Sequence, residues 1–146
     1  MDFELSDDER SLADGVRRLC AARFPLEALR AQEGRRTLDG AGWRALGEAG
    51  VFALTVPEED GGLGLGRAHL AVVFEELGRA LVPGPLAASA AAAPVVKGAA
   101  DGAVPVGLLW RAPGDARPVL VADVASLGAL VVVGGDGAAL VDPADL

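Results

Sequence analysis

Cysteine, histidine and tyrosine are nearly missing from this chain of 146 residues, which has one Cys, one His and no Tyr. The single cysteine, Cys20, excludes a disulfide within the chain. Structural zinc sites usually take four Cys or His ligands, so the sequence also argues against such a site. A nucleophilic cysteine requires a histidine beside it, and only His69 is available. We therefore interpret Cys20 as a small side chain that fills part of a helical core.

Positive charge is scarce as well, because 13 Lys and Arg stand against 21 Asp and Glu and give a net charge of −8. Nucleic-acid-binding domains normally carry a basic face, so this balance argues against that class. Anionic membrane surfaces would repel the chain for the same reason. The sequence has no apolar run of about 18 residues free of Gly and Pro, and its acidic start does not resemble a secretory signal. We expect a cytoplasmic protein without nucleic-acid or membrane partners.

Aromatic residues are also few, at 4% of the chain against 51% for all hydrophobic residues. The apolar side chains are therefore mostly Ala, Val and Leu, which suffice to build a core. A capping box at Ser6 and Glu9 predicts the start of a helix, and Pro25 predicts its end. Apolar spacing and composition predict further helices from about Asp39, over Arg67–Leu81 and over Leu86–Val96.

The composition changes near Lys97, after which short Val-rich runs alternate with Gly and Asp turns. One such turn, Gly134–Gly137, predicts an antiparallel hairpin. The sequence thus predicts a mainly α fold, with an N-terminal helical bundle domain over residues 1–100 and a partial antiparallel β domain over residues 101–146. Free strand edges lead us to expect more chain, or a partner, to complete the sheet. The predicted strands lie in Val104–Trp110, Arg117–Val124, Ala129–Val133 and Ala138–Val141.

The glycine-rich run Glu58–Gly66 invites comparison with a phosphate-binding loop, because Gly62, Gly64 and Gly66 alternate with single residues. A dinucleotide fingerprint needs a strand directly before the glycines and the spacing G-x-G-x-x-G, and both are missing. The acids beside the glycines would also repel a pyrophosphate. We interpret the run as a structural turn. The residues alone indicate no catalytic site, since paired acids such as Glu75–Glu76 are typical of a solvated helix face.

Three motifs follow the first helix in a fixed order: WRALGEAGVF at Trp43–Phe52, VPEEDGGLGLG at Val56–Gly66 and FEELGRA at Phe74–Ala80. In this order they resemble the N-terminal domain of the acyl-CoA dehydrogenase family, and the run Pro85–Val96 resembles the helix that follows. The resemblance implies a three-domain oxidoreductase that uses FAD to remove two hydrogens across the α,β carbons of an acyl-CoA thioester, as in fatty acid β-oxidation. It also implies a homo-oligomer or a subunit of a heteromeric dehydrogenase.

The sequence departs from the family pattern where the family contacts its flavin and where it carries its base. The family's Thr-Glu-Pro…Gly-Ser-Asp segment is replaced here by LLWRAPGDARP at Leu108–Pro118. The C-terminal helical domain, with its glutamate base, is not in this sequence. The resemblance therefore gives no catalytic or FAD-binding residue, and we expect the chain alone to hold no FAD. It implies contacts with the acyl tail of the substrate from Ser89, Ala92, Ala93 and Val96.

Three functions remain open from the sequence. The leading hypothesis is the N-terminal part of an FAD-dependent acyl-CoA dehydrogenase, inactive as this chain alone because the catalytic base is missing. The first alternative is a non-catalytic partner subunit of a heteromeric acyl-CoA dehydrogenase. The second is a stand-alone helical interaction module.

Overall fold

Helices fill the first part of the chain and strands the last part in this computed structural model, which describes residues 4–34, 38–112, 114–115 and 117–146. The prediction of a mainly helical fold with a small sheet after the helices is confirmed, while the domain boundary at residue 100 stays a prediction. None of the described helices is long and apolar enough to cross a membrane. The helices are α1 (Asp7–Arg23), α2 (Leu26–Ala31), α3 (Gly40–Glu48), α4 (Arg67–Arg79) and α5 (Leu86–Ala92). The strands are β1 (Val106–Trp110), β2 (Ala129–Gly134) and β3 (Gly137–Val141).

The capping box predicted at the start of α1 is present. The Ser6 hydroxyl accepts a hydrogen bond from the Glu9 N–H at 3.2 Å, and the Ser6 N–H donates to Glu9 Oε2 at 2.8 Å. These bonds satisfy N–H groups that the start of a helix leaves without partners. The helix ends in a cap at Phe24, directly before Pro25, as the sequence predicts.

The main core forms where α1, α3 and α4 pack together. Trp43 of α3 stacks on Phe52 with ring centroids 4.7 Å apart, and Leu77 of α4 is fully buried in the same cluster. Cys20 of α1 also lies in this cluster and is buried, in keeping with its interpretation as a core side chain. Burial raises the pKa of the Cys20 thiol, which makes it a poor nucleophile at neutral pH.

Contact between two backbone segments joins the helical core to the residues that lead into β1. A Cβ on Gly47 would collide with the backbone carbonyl of Asp101, so α3 lies this close only because that residue is glycine. Gly102, on the opposite side of the contact, has a φ of +74°, a left-handed conformation that other residues rarely adopt. The two glycines therefore set the distance between the helices and the start of the sheet.

A chain of charged side chains links α1 to α4. Arg17 of α1 donates to the two carboxylate oxygens of Glu76, at 3.1 and 2.8 Å, and to Asp14 at 2.7 Å. The Glu76 side chain is only 9% exposed, and Arg79 lies 3.8 Å from it on the same helix. The hydrogen bonds from Arg17 hold the pKa of Glu76 below its ordinary range. The charged form of Glu76 thus ties together the two longest described helices.

The sheet is mixed, with the strand order β1–β2–β3. β2 and β3 pair antiparallel around Gly134–Gly137, so the predicted hairpin is confirmed. β1 instead pairs with β2 in parallel, with Val106 opposite Ala129, which differs from the antiparallel arrangement expected from the sequence. Parallel neighbours need a crossover of about a dozen or more residues, and residues 111–128 provide it.

The strand predicted at Arg117–Val124 lies in this crossover and is not formed. Pro118 has no N–H to donate to a neighbouring strand. Asp123 has a φ of +55°, which is outside the extended range of a strand. The apolar side chains of this segment therefore gain no strand partner, and Leu120 is 94% exposed.

One apolar face of the sheet is only partly covered by the described residues. Val106, Leu108 and Trp110 alternate along β1 and therefore share this face. Val106 is fully buried against α5, whereas Leu108 and Trp110 extend beyond the helix and are 52% and 73% exposed. Leu140 of β3 lies on the same face, because both it and Leu108 are paired with Val131. An exposed apolar face that spans three strands is typical of a surface that other polypeptide covers.

A Gly47→Ala substitution tests the close approach of α3 to Asp101. We expect the free energy of unfolding to fall by about 1–3 kcal/mol, because the added methyl group forces the two backbone segments apart. The matched control is Gly78→Ala in α4, where a Cβ meets nothing within 4 Å and should stabilise the helix by about 0.5–1 kcal/mol. Urea unfolding followed by circular dichroism measures both. A Gly47→Ala protein as stable as wild type would contradict the contact.

A Glu76→Gln substitution tests the charged link between α1 and α4. Since folding lowers the pKa of Glu76, its stabilisation is complete at neutral pH and is lost as the pH falls through that lowered pKa. We expect the variant to be about 1–2 kcal/mol less stable at neutral pH, and this difference to shrink in acid. Glu75→Gln is the control, because its carboxylate is exposed and should contribute little. Thermal unfolding at several pH values measures both variants, and a pH-independent loss would refute the role of the charge.

Candidate functional site

The four residues predicted to contact an acyl tail lie together along α5 and the turn that follows it. Ser89, Ala92, Ala93 and Val96 are all buried, and Ser89 is completely so. The three apolar members form a second core cluster with Val106 of β1. The structure thus brings the four residues to one side of the helix, where they pack against the sheet.

The Ser89 hydroxyl joins α5 to the outer edge of β1. Its Oγ accepts a hydrogen bond from the Val106 N–H at 2.9 Å and donates to the Val106 carbonyl at 3.4 Å. Along a strand, the backbone N–H and C=O groups of successive residues point to opposite sides. Arg111, directly after β1, donates its N–H to the Val133 carbonyl of β2, so the odd-numbered residues face β2. The N–H and C=O of Val106 therefore point away from β2. Ser89 therefore satisfies an edge position that another strand would otherwise occupy. The sequence analysis missed this role, although the one serine in an Ala-rich run was its signal.

A cavity of about 350 Å³ lies beside this contact, between the first turn of α5 and β1. The small side chain of Ala88 leaves this space, and Asp123 is the charged residue of the lining. The sequence analysis missed the cavity because the crossover that closes it is remote from α5 in sequence. The lining residues are Gly84, Pro85, Ala88, Gly107, Leu108, Leu109, Leu120, Val121, Ala122 and Asp123. Contact of the four predicted residues with an acyl tail stays a prediction.

The glycine-rich loop directs its backbone N–H groups inward. Five consecutive N–H groups, from Gly61 to Leu65, donate at 2.7–3.0 Å to carbonyl groups of residues 53–58. A Cβ on Gly62 would collide with Val56, so the loop needs glycine there for close backbone contact. A phosphate-binding loop must instead present such N–H groups to its ligand. The geometry supports the interpretation of the loop as a structural turn.

The acidic residues singled out in the sequence are exposed or already paired with a cation. Glu58–Asp60 form one exposed 3-10 turn, and both carboxylate oxygens of Glu76 accept hydrogen bonds from Arg17. Within the described ranges, no group of three or more His, Cys, Asp or Glu side chains could hold a metal ion.

Three charged residues close the first part of the β1–β2 crossover, and we call Arg111, Asp115 and Arg117 the crossover clasp. Arg117 donates from Nε and Nη2 to the two carboxylate oxygens of Asp115, at 2.9 and 2.8 Å. Arg111 Nη2 donates to the backbone carbonyls of Asp115 and Arg117, at 2.6 and 3.0 Å. The side-chain hydrogen bonds from Arg117 lower the pKa of Asp115 to about 2, so the clasp keeps its charges at neutral pH.

Comparison with known proteins gives a family match over most of the helical part. Residues 6–101 match the family model described as "Acyl-CoA dehydrogenase, N-terminal domain". A Mycobacterium tuberculosis protein named acyl-CoA dehydrogenase IpdE2 is 36% identical over 143 residues, which cover 92% of this chain and 41% of that protein. A protein of the same name from Mycolicibacterium smegmatis is 44% identical over 84 residues, which cover 56% of this chain and 27% of that protein.

Solved structures agree with this match. A variant of the Tcur3481–Tcur3483 steroid ACAD is similar with a TM-score of 0.71 and 25% identity, over 93% of this chain and 48% of that one. The ChsE4–ChsE5 complex from Mycobacterium tuberculosis is similar with a TM-score of 0.75 and 22% identity, over 97% of this chain and 49% of that one. The second likeness shows the fold alone. The chain spans about half the length of these structures and less than half of its curated relatives.

A Ser89→Ala substitution tests the bond between α5 and β1. We expect a loss of about 1–3 kcal/mol in the free energy of unfolding, because the Val106 N–H is left buried without a partner. Ser126→Ala is the control, since that hydroxyl also accepts a backbone N–H, from Leu38, but in a less buried place. Hydrogen exchange of the Val106 amide provides a local readout. Unchanged protection of this amide in Ser89→Ala would show that the serine does not hold the edge of β1.

Proposed function

The chain belongs to the acyl-CoA dehydrogenase family, and on this premise we propose that it forms the N-terminal part of an enzyme that dehydrogenates an acyl-CoA thioester at its α,β carbons. The observation that carries the proposal is the family match over residues 6–101, which extends from α1 to the segment just before β1. The M. tuberculosis relative adds support beyond that limit, because its similarity continues over nearly the whole chain.

The part of the substrate that this chain would contact is the acyl tail. Small side chains on α5 leave room beside the helix, and the Ser89 bond fixes the helix against β1. We propose that Ser89, Ala92, Ala93 and Val96 form the wall of the acyl site in the assembled enzyme. The family match supports this, because residues 6–101 include all four positions.

FAD supplies the redox chemistry of this family when it is bound. Two features of the described residues do not fit the cofactor. The N–H groups of Gly61–Leu65 donate to backbone carbonyls of the preceding turn. In the crossover clasp, Arg117 donates to the Asp115 carboxylate and Arg111 Nη2 donates to backbone carbonyls. This supports the proposal that the chain alone holds no FAD.

We also propose that this chain supplies no catalytic base. A base that works near neutral pH needs a carboxylate whose pKa is raised toward that range. Among the described residues the buried carboxylate is Glu76, and its pKa is lowered because Arg17 donates to both of its oxygens. A paired, low-pKa carboxylate in a helix-to-helix link is a structural group, which supports the inactivity of the isolated chain.

A second candidate function is that of a partner subunit without catalytic groups of its own. Two observations favour it. The apolar face of Leu108, Trp110 and Leu140 is open to a neighbour, and solved structures of similar fold include the ChsE4–ChsE5 complex, whose name joins two proteins. The two candidates differ in where the remaining domains come from, namely the same polypeptide or another one.

A chimera tests the leading proposal directly. This chain replaces the matched N-terminal part of the M. tuberculosis relative, and the chimera is assayed beside the parent protein under conditions in which the parent oxidises acyl-CoA. We expect the chimera to bind FAD and to reduce an electron acceptor when acyl-CoA is added, while this chain alone does neither. A folded chimera without activity would contradict the N-terminal role, and turnover by this chain alone would contradict its inactivity.

A further inference from the structure

The β1–β2 crossover has an unusual shortage of neutral hydrogen-bonding side chains. From Ala90 to Ala125 the sequence contains no Ser, Thr, Asn, Gln, His or Tyr, and the indole N–H of Trp110 is the one neutral side-chain donor. A flavin ring and its ribityl chain present several donors and acceptors, which a protein must match with partners. In this segment such partners can come only from the backbone or from charged side chains.

The charged side chains of the crossover are already engaged with one another. Arg117 has both its Nε and its Nη2 on the Asp115 carboxylate, and its backbone N–H also donates to Asp115 Oδ1 at 3.1 Å. Arg111 Nη2 is shared between two backbone carbonyls of the same loop, and the Arg111 N–H donates to Val133 of β2. The clasp thus closes the loop on itself and on the sheet.

The groove beside the clasp has no net positive charge to attract a dinucleotide. It has a volume of about 610 Å³ and lies between the clasp and the turn of the β2–β3 hairpin. Asp115 and Asp136 both line it, whereas its cation, Arg111, is directed at the carbonyls of the loop. Arg117 offsets the charge of Asp115, and Asp136 lines the groove together with Arg111. The groove therefore has no net positive charge to attract a pyrophosphate.

We propose that the crossover clasp is a closed structural loop whose side chains make no contact with a flavin, so that any flavin in an assembly containing this chain is held by groups outside the clasp. The inference rests on the proposed function only for the expectation that such an assembly contains FAD. It applies equally to the chain as part of an enzyme and to the chain as a partner subunit.

Two measurements on the 146-residue chain test the proposal, with Asp115→Ala as the variant that opens the clasp and Asp136→Ala as the matched control in the same groove. The first measurement is limited trypsin digestion at the Arg111–Ala112 bond, since trypsin does not cut before Pro118. We expect Asp115→Ala to be cut severalfold faster than wild type, because the Asp115 carboxylate fixes Arg117, whose carbonyl in turn binds Arg111. Asp136→Ala should be cut at the wild-type rate, because the described hydrogen bonds of the clasp do not include Asp136. Equal rates in the two variants would overturn the clasp.

The second measurement is titration with FAD followed by flavin fluorescence polarisation, with circular dichroism to confirm that each variant is folded. We expect no saturable binding by wild type or by either variant. Saturable binding by wild type that is lost in Arg111→Ala would overturn the proposal. That result would leave the dehydrogenase assignment standing, whereas an inactive chimera would remove that assignment without affecting the clasp.

Discussion

The close contact between α3 and the segment before β1 determines how the two parts of the chain fit together. Because Gly47 has no side chain, the α3 backbone can lie against the Asp101 carbonyl, and Gly102 turns the chain there in a left-handed conformation. The start of β1 is therefore fixed beside α5, where the Ser89 hydroxyl hydrogen-bonds to both the N–H and the carbonyl of Val106. The packing of α5 on the sheet, and the cavity beside it, follow from that placement.

The residues that make the family recognisable act mainly in packing. In the motif WRALGEAGVF, Trp43 and Phe52 stack on each other and Gly47 allows the backbone contact. In the glycine-rich motif, the N–H groups of the loop bind the preceding turn. In FEELGRA, Glu76 holds α1 to α4 through Arg17. The match thus establishes the scaffold of the family, and the chemistry has to be argued from other residues.

Features with local causes could be predicted from the sequence, and features that join distant segments could not. The cap at Ser6, the end of α1 before Pro25 and the β2–β3 hairpin each depend on residues within a few positions of one another, and the structure has all three. The helix predicted to Val96 ends at Ala92, two residues before Pro94, which cannot continue the N–H ladder. The parallel pairing of β1 with β2 and the bond from Ser89 to Val106 join segments far apart in sequence, where periodicity carries no information.

The crossover clasp also has a consequence for the order in which the sheet forms. A parallel pair cannot form until the long loop between its strands closes, and the entropy lost on closure grows with the number of free residues in that loop. By linking Arg111 to Asp115 and Arg117, the clasp reduces that number and lowers the entropy cost by a few tenths of a kcal/mol. The hairpin of β2 and β3 closes over only a two-residue turn, so we expect it to form before β1 pairs with β2 across the longer loop.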